Sequence, residues 1–277
     1  MSWVITGKGV NAPLLDAYSG AAAAFSLRQL QSGSYPVVRV RRSSDSTESD
    51  FTAAQVSDGT LAAFVGAGNN GFVRTWYDQS GNGRNATQTT AASQPRIVDS
   101  GVLESDISKP CVNFTVGLGL EIVNRPLTGA TSPSVFALAK YTWGAEFASM
   151  LFTQSSGAAT LAQYEIRRFP LANGNSYNIV TGAATGMEGT TSIVNQTAIL
   201  SVVASSGTST GVYINGSLDL TQASSISPIQ SQPAFIGSRN GSFLFKGKIH
   251  ELIIYPAEQS ATRSGIESNI NTYYAIY

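Results

Sequence analysis

Apolar and polar residues alternate along this chain in roughly a dozen short runs broken by turn-forming residues, a period-two pattern that predicts β-strands. Val37-Val38-Arg39-Val40-Arg41 puts Val38 and Val40 on one face and Arg39 and Arg41 on the other, with Asp45, Glu48 and Asp50 following as solvated partners for the arginines. Phe72-Val73-Arg74-Thr75-Trp76-Tyr77 arrives as a strand and stops in the turn Asp78-Gln79-Ser80-Gly81-Asn82-Gly83-Arg84-Asn85. Gln94–Val98 and Pro110–Phe114 are short, and their prolines suit an edge or a strand start. Stronger runs follow at Ser134–Tyr141, Ser149–Thr153, Gln163–Phe169 and Thr197–Ala204, the last apolar on both faces as in a central strand. Asn215-Gly216 between alternating runs predicts a tight hairpin, and Ala234–Gly237 running through Arg239-Asn240-Gly241 to Ile249–Tyr255 predicts another.

Helical signals are few. Leu61–Val65 has Asp58 or Thr60 as cap and Gly66 or Gly68 as terminator, and near the end Ser260 can cap a helix whose Ile266, Ile270 and Tyr273 share a face. Without a βαβ rhythm, the pattern predicts an all-β protein: a two-sheet antiparallel sandwich with short helices, including a C-terminal one. Residues 1–15 read as an N-terminal arm and 16–277 as one sandwich domain. Trp3, Val4 and Ile5 make the arm apolar enough to pack on its own domain or to anchor on a partner.

Composition narrows the chemistry. The 277 residues carry 17 basic and 17 acidic side chains, so nothing draws the chain as a whole to nucleic acid or an anionic membrane. Cys111 is the only cysteine and His250 the only histidine, which excludes an internal disulfide and zinc sites built from several such ligands. A Ser-His-Asp triad would have to use His250, which sits inside a strand pattern with no nucleophile elbow anywhere in the chain. The acidic loops Asp45–Asp50 and Asp99–Asp106 lack the alternating spacing of a dedicated calcium loop, so neither a metal nor a cofactor is expected. No run approaches 18 apolar residues, and the first residues show no signal-peptide pattern.

Three stretches carry a resemblance: Phe25–Leu30 with Val38–Asp45; Trp76-Tyr77-Asp78-Gln79-Ser80-Gly81-Asn82-Gly83; and Gly237-Ser238-Arg239 followed by Gly247–Tyr255. Together they resemble concanavalin A-like, laminin-G-type jelly-roll modules of bacteriophage virion proteins, themselves similar to the catalytic domain of family 54 α-L-arabinofuranosidases. The resemblance implies a virion structural protein, either a capsid decoration or a tail-associated adsorption module. Its partners would be other virion proteins, a further copy of the chain and host-surface glycans. Glycan sites pair an aromatic face with Asn, Asp or Arg, which makes Tyr77, Asp78, Asn82, Arg84, Arg239 and Asn240 the candidates; loop-stabilising hydrogen bonds are the alternative role for the same side chains.

The second function is an arabinofuranosidase-like glycoside hydrolase. In that family a Gly-Gly-Asp stretch before the last long strand carries the acid/base, whereas here Gly237-Ser238-Arg239-Asn240 has no carboxylate, and the family's vicinal cysteine pair is missing. Glu165 is the only nucleophile the reading offers, and a strand Glu beside Arg167 and Arg168 is more often one half of a surface ion pair. Binding without catalysis is therefore expected.

Overall fold

The alternating runs become strands that join, among the described residues, into one antiparallel hydrogen-bonded network of 19. The computed structural model describes residues 12–142, 149–155, 164–168, 177–181, 186–205, 208–223 and 226–277. One ladder runs through Glu48–Thr52, Pro36–Arg42, Gly71–Trp76, Ala86–Thr87, Leu120–Ile122, Ala234–Ile236, Ser149–Gln154, Tyr164–Arg168, Tyr177–Thr181 and Met187–Glu188. A second runs through Ala23–Ser26, Gly247–Tyr255, Ser134–Tyr141, Thr197–Ser205, Ser209–Ile214 and Ser217–Ala223. The two are stitched together because Arg96–Asp99 pairs with Gly71–Trp76 on one side and with Val112–Asn113 on the other, and Val112–Asn113 continues onto Gly247–Tyr255. The all-β antiparallel class stands; the expected separation into two sheets does not, since this short strand closes the gap between them.

Side-chain alternation decides what each face does. Val38, Val40, Trp76, Leu120, Ile166, Leu200 and Leu252 point into one large core. Phe136, Leu138, Ile199, Val203, Ile253 and Tyr255 point the other way, into a second cluster covered by the helix Arg263–Tyr274 and by Leu14 and Leu15. This is why Thr197–Ala204 is apolar on both faces. Ile266 and Ile270 have no exposed surface, and each contributes about 1.5–3 kcal/mol of apolar burial.

Several expectations change at this level. Leu14 and Leu15 belong to the packed body as part of the helix Leu14–Ala17, while Trp3, Val4 and Ile5 lie outside the described residues. The C-terminal helix begins at Arg263 with Thr262, not Ser260, at its N-cap, and Tyr274 rather than Tyr273 extends the buried i, i+4, i+8 row. A helix at Ala53–Ser57 was hidden in sequence behind a polar loop; Thr52 and Gln55 form its capping box. The Asn215-Gly216 hairpin forms, with both turn residues at positive φ. Ala234–Ile236 and Gly247–Tyr255 do not pair with each other, because they enter different ladders. The Asn-Gly signal between them is spent locally: Arg239 and Ser242 exchange backbone hydrogen bonds at 2.8 and 2.9 Å, with Asn240 and Gly241 at φ 49° and 74°.

Candidate functional site

The Asp78–Asn85 loop is a clamp. Asp78 Oδ1 accepts from the Ala24 and Ser80 amides, both at 2.9 Å, and its Oδ2 accepts from the Ser80 hydroxyl at 2.8 Å and the Arg84 amide at 2.9 Å. Asn82 Nδ2 donates to the Ala21 carbonyl, and Arg84 donates to the carbonyls of Ala22 and Asn124. Buried Gln79 accepts from the Leu30 amide and donates to the carbonyls of Ser26 and Arg28. These side chains hold residues 21–30 in place, so Asp78, Asn82 and Arg84 make the loop-stabilising hydrogen bonds named as their alternative role. Tyr77 is also engaged, donating to Asp50 at 2.8 Å. Of the basic stripe, Arg39 is paired as expected, with Glu48 at 2.8 Å, whereas Arg41 donates to Gln94 at 2.8 Å and to the Ala91 carbonyl at 3.2 Å, and it is the next residue, Arg42, that pairs with Asp45 at 2.6 Å.

The remaining two candidates, Arg239 and Asn240, stand over a different region. Strand register lines up a row of outward residues across the first ladder: Thr87, Glu121, Phe235, Thr153, Glu165 and Val180. Their strand neighbours Leu120, Ile122, Ala234, Ile236, Tyr164 and Ile166 fill the core beneath. The turn at Arg239-Asn240 folds over this row and is fastened to it by Thr153 Oγ1, which donates to the Ser238 carbonyl at 3.0 Å.

Glu165 was expected in a surface ion pair. It is instead fully buried, held between Arg167 at 2.8 Å and Arg239 at 3.1 Å, the latter reaching it from 74 residues away in sequence. Arg167 also donates to Asn178 at 2.9 Å, and the Arg239 guanidinium lies 4.3 Å from the Phe243 ring centroid. Burial lowers the pKa of Arg167 and crowding by Arg239 adds to that, against the pull of Glu165. The Arg168 side chain lies outside the described residues. Each Glu165 oxygen is thus taken by a guanidinium.

Beside this cluster lies a cleft of about 260 Å³. Thr87, Thr90, Glu121, Phe235, Ser238 and Asn240 are among its lining residues. Ser238 Oγ is buried with no hydrogen-bond partner among the described residues, in a wall where such a group ordinarily finds one. Gly119, at φ +91°, gives the cleft its floor; a Cβ there would come within 2.6 Å of both Ser238 Oγ and the Ile236 carbonyl. Glu121, Phe235 and Ser238 were not singled out in the sequence, and only the apolar–polar–apolar run Leu120-Glu121-Ile122 marked Glu121 as outward-facing.

Cys111 and His250 stand apart from this region. Burial pushes the Cys111 thiol up to about 12, so it is an unreactive core group. Buried His250 donates from Nδ1 to the Pro110 carbonyl at 3.0 Å and lies 3.7 Å from Asp106.

No protein-family model matches the chain, and no curated protein matches it. Solved structures do. The fold is similar to an arabinofuranosidase complexed with arabinofuranosyl-α-1,2-xylobiose, at TM-score 0.66 and 17% identity, covering 93% of this chain and 64% of that one. It is similar to a family 54 α-L-arabinofuranosidase soaked with a cyclic sulfate inhibitor, at TM-score 0.65 and 17% identity over the same shares. A mutant of a family 54 enzyme soaked with 4-nitrophenyl α-L-arabinofuranoside gives TM-score 0.64 and 16% identity. The chain spans 64% of the length of these structures, and at such identity the likeness establishes a shared fold.

Proposed function

We propose that the protein is a lectin-like, all-β carbohydrate-binding module that recognises a neutral sugar in the Thr87–Asn240 cleft without hydrolysing it. The cleft suits a sugar by chemistry: threonine and serine hydroxyls, the Asn240 amide and the Glu121 carboxylate for hydroxyl groups, with Phe235 in the wall for a C–H face. The observation that carries the non-catalytic part is Glu165, whose two oxygens are occupied by Arg167 and Arg239.

Retaining glycosidases need two carboxyl groups about 5–5.5 Å apart and inverting ones about 6.5–9.5 Å. Along the outward row the next carboxylate is Glu121, three strands away, which at about 4.8 Å per strand is about 14 Å. Titration calorimetry with neutral mono- and oligosaccharides tests the proposal. Glu121→Gln and Asn240→Ala should each weaken binding while the protein stays folded, and an absence of binding at millimolar sugar refutes it.

Hydrolysis is the second reading, favoured by the position of Glu165 on an outward row of a fold shared with arabinofuranosidases. Turnover of 4-nitrophenyl α-L-arabinofuranoside that is abolished in Glu165→Gln would put it first. The virion setting, capsid or tail, rests on the motif resemblance; immunolabelling of intact particles tests it.

A further inference from the structure

Where the C-terminal helix meets the helix Ala53–Ser57 and the turns between Val102 and Pro110, two adjoining cavities of about 450 and 440 Å³ share Ser57 and Tyr273 and no lining residue with the Thr87–Asn240 cleft. Their charge is one-sided. Arg28 lines the first and Lys109 the second, and among the described residues no acidic side chain lines either. The Tyr273 ring sits between the two cations, with the Arg28 guanidinium 5.0 Å and the Lys109 ammonium 4.2 Å from its centroid.

The two cations are not equivalent. Arg28 is neutralised by a bidentate pair with buried Glu251, at 2.7 and 2.9 Å. Lys109 has no carboxylate within ion-pair distance among the described residues, so the groove carries a net positive charge that the ring holds in place. Acceptors and donors for hydroxyl groups surround it. Asn269 Nδ2 donates to the Ala12 carbonyl at 3.2 Å, which leaves Asn269 Oδ1 buried with no partner among the described residues. Thr272, Gln29, Ser105 and Ser108 add further polar groups along the walls. The Thr87–Asn240 cleft has the opposite character, with Glu121 in its lining and, among the described residues, no Lys or Arg.

We propose that this groove is a second, anion-selective saccharide site: Lys109 takes a carboxylate or sulfate group of an acidic sugar, and Asn269 Oδ1 accepts from a hydroxyl of the same ligand. The site is separate from the cleft and stands whether or not that cleft binds sugar.

The test is calorimetric titration of the full chain at low salt with trigalacturonate, its neutral counterpart galactotriose, a sulfated galactose and inorganic phosphate. Trigalacturonate should bind at least about tenfold more tightly than galactotriose, the worth of one charge-assisted hydrogen bond. Lys109→Gln should remove that preference. Asn269→Asp, which puts a like charge at the unpartnered acceptor, should do the same, and added NaCl should weaken binding. Lys109 is half-buried and its contact with the Tyr273 ring is worth about 0.5–1 kcal/mol, so Lys109→Gln should stay folded and melt within about 4 °C of the parent. Tighter binding of sulfated galactose than of trigalacturonate would assign the same site to sulfated sugars. Equal affinity for the neutral trisaccharide, unchanged affinity in Lys109→Gln, or inorganic phosphate binding as well as the saccharides would each overturn the proposal.

Discussion

Replacing Asp78 by alanine tests whether the polar loop is a clamp or a ligand site. The substitution strips the acceptor from three backbone amides, those of Ala24, Ser80 and Arg84, and from the Ser80 hydroxyl. Ala24 is fully buried, so its N–H is left with no partner and no water, at a cost of about 1–3 kcal/mol. Ser80 and Arg84 are half-exposed and recover water, so each of their bonds is worth about 0.5–1 kcal/mol. The loss comes to about 2.5–6 kcal/mol, and at about 2–4 °C per kcal/mol for a chain of this size the melting temperature should fall by about 5–24 °C. Asp78→Asn keeps one carbonyl acceptor for Ala24 and Ser80 but turns an NH₂ group toward the Arg84 amide, so it should lose less. Differential scanning calorimetry reads both, and amide exchange at Ala24 reports the clamp directly. A shift under about 1 °C for Asp78→Ala would refute the reasoning, since it would mean that the buried Ala24 amide had found another partner at no cost.

Three further outcomes follow from the same contacts. Arg239→Ala leaves buried Glu165 with Arg167 alone and should cost about 3 kcal/mol in urea unfolding, as breaking a buried pair does; an unchanged midpoint would count against the Glu165 cluster. Gly119→Ala places a Cβ at φ +91° against Ser238 and Ile236, and it should both lower the melting temperature and weaken sugar binding in the cleft. Acid should destabilise the fold through Asp106 and Glu104. Asp106 is held low first by His250, then by Thr197 and Lys140; burial pushes Glu104 up, but bonds from Asn113 and Arg96 outweigh it. Both carboxyls are more acidic folded than in the unfolded chain, where they titrate near about 4, so their contribution is complete above that range and is lost as pH falls through the folded values. Melting temperature should therefore hold from neutral pH down to about pH 5 and fall as the pH is lowered further, toward about pH 2, with a flatter slope in Asp106→Asn.

Local pattern carried most of the fold. Val38 and Val40 against Arg39 and Arg41, the doubly apolar Thr197–Ala204 and the Asn215-Gly216 turn each specify their conformation within a few residues, and each formed as expected. What could not be read was pairing across long separations. Arg96–Asp99 looks like any short edge strand, and nothing in it announces that it bridges Gly71–Trp76 and Val112–Asn113. The Arg239–Gly241 turn gave the right local geometry and the wrong partners, because its flanking strands are claimed by Leu120–Ile122 and Ser149–Gln154 on one side and by Ala23–Ser26 and Ser134–Tyr141 on the other.

The site shows the same limit in its chemistry. Residue type alone grouped Asp78, Asn82 and Arg84 with Arg239 and Asn240, yet the first three face backbone groups of their own neighbourhood and are spent there. Glu165 and Arg167 are two apart on one strand face and could be paired by inspection; Arg239 joins them only because Ala234–Ile236 and Tyr164–Arg168 both flank Ser149–Gln154. That third residue changes what the carboxylate can do. A carboxylate facing one arginine keeps an oxygen free for a ligand, whereas one bracketed by two has both oxygens engaged in a buried, charge-assisted lock that is costly to open. The side chains with hydrogen-bonding capacity left over lie farther along, in the cleft, where Ser238 Oγ has no partner among the described residues and Glu121 is in the lining.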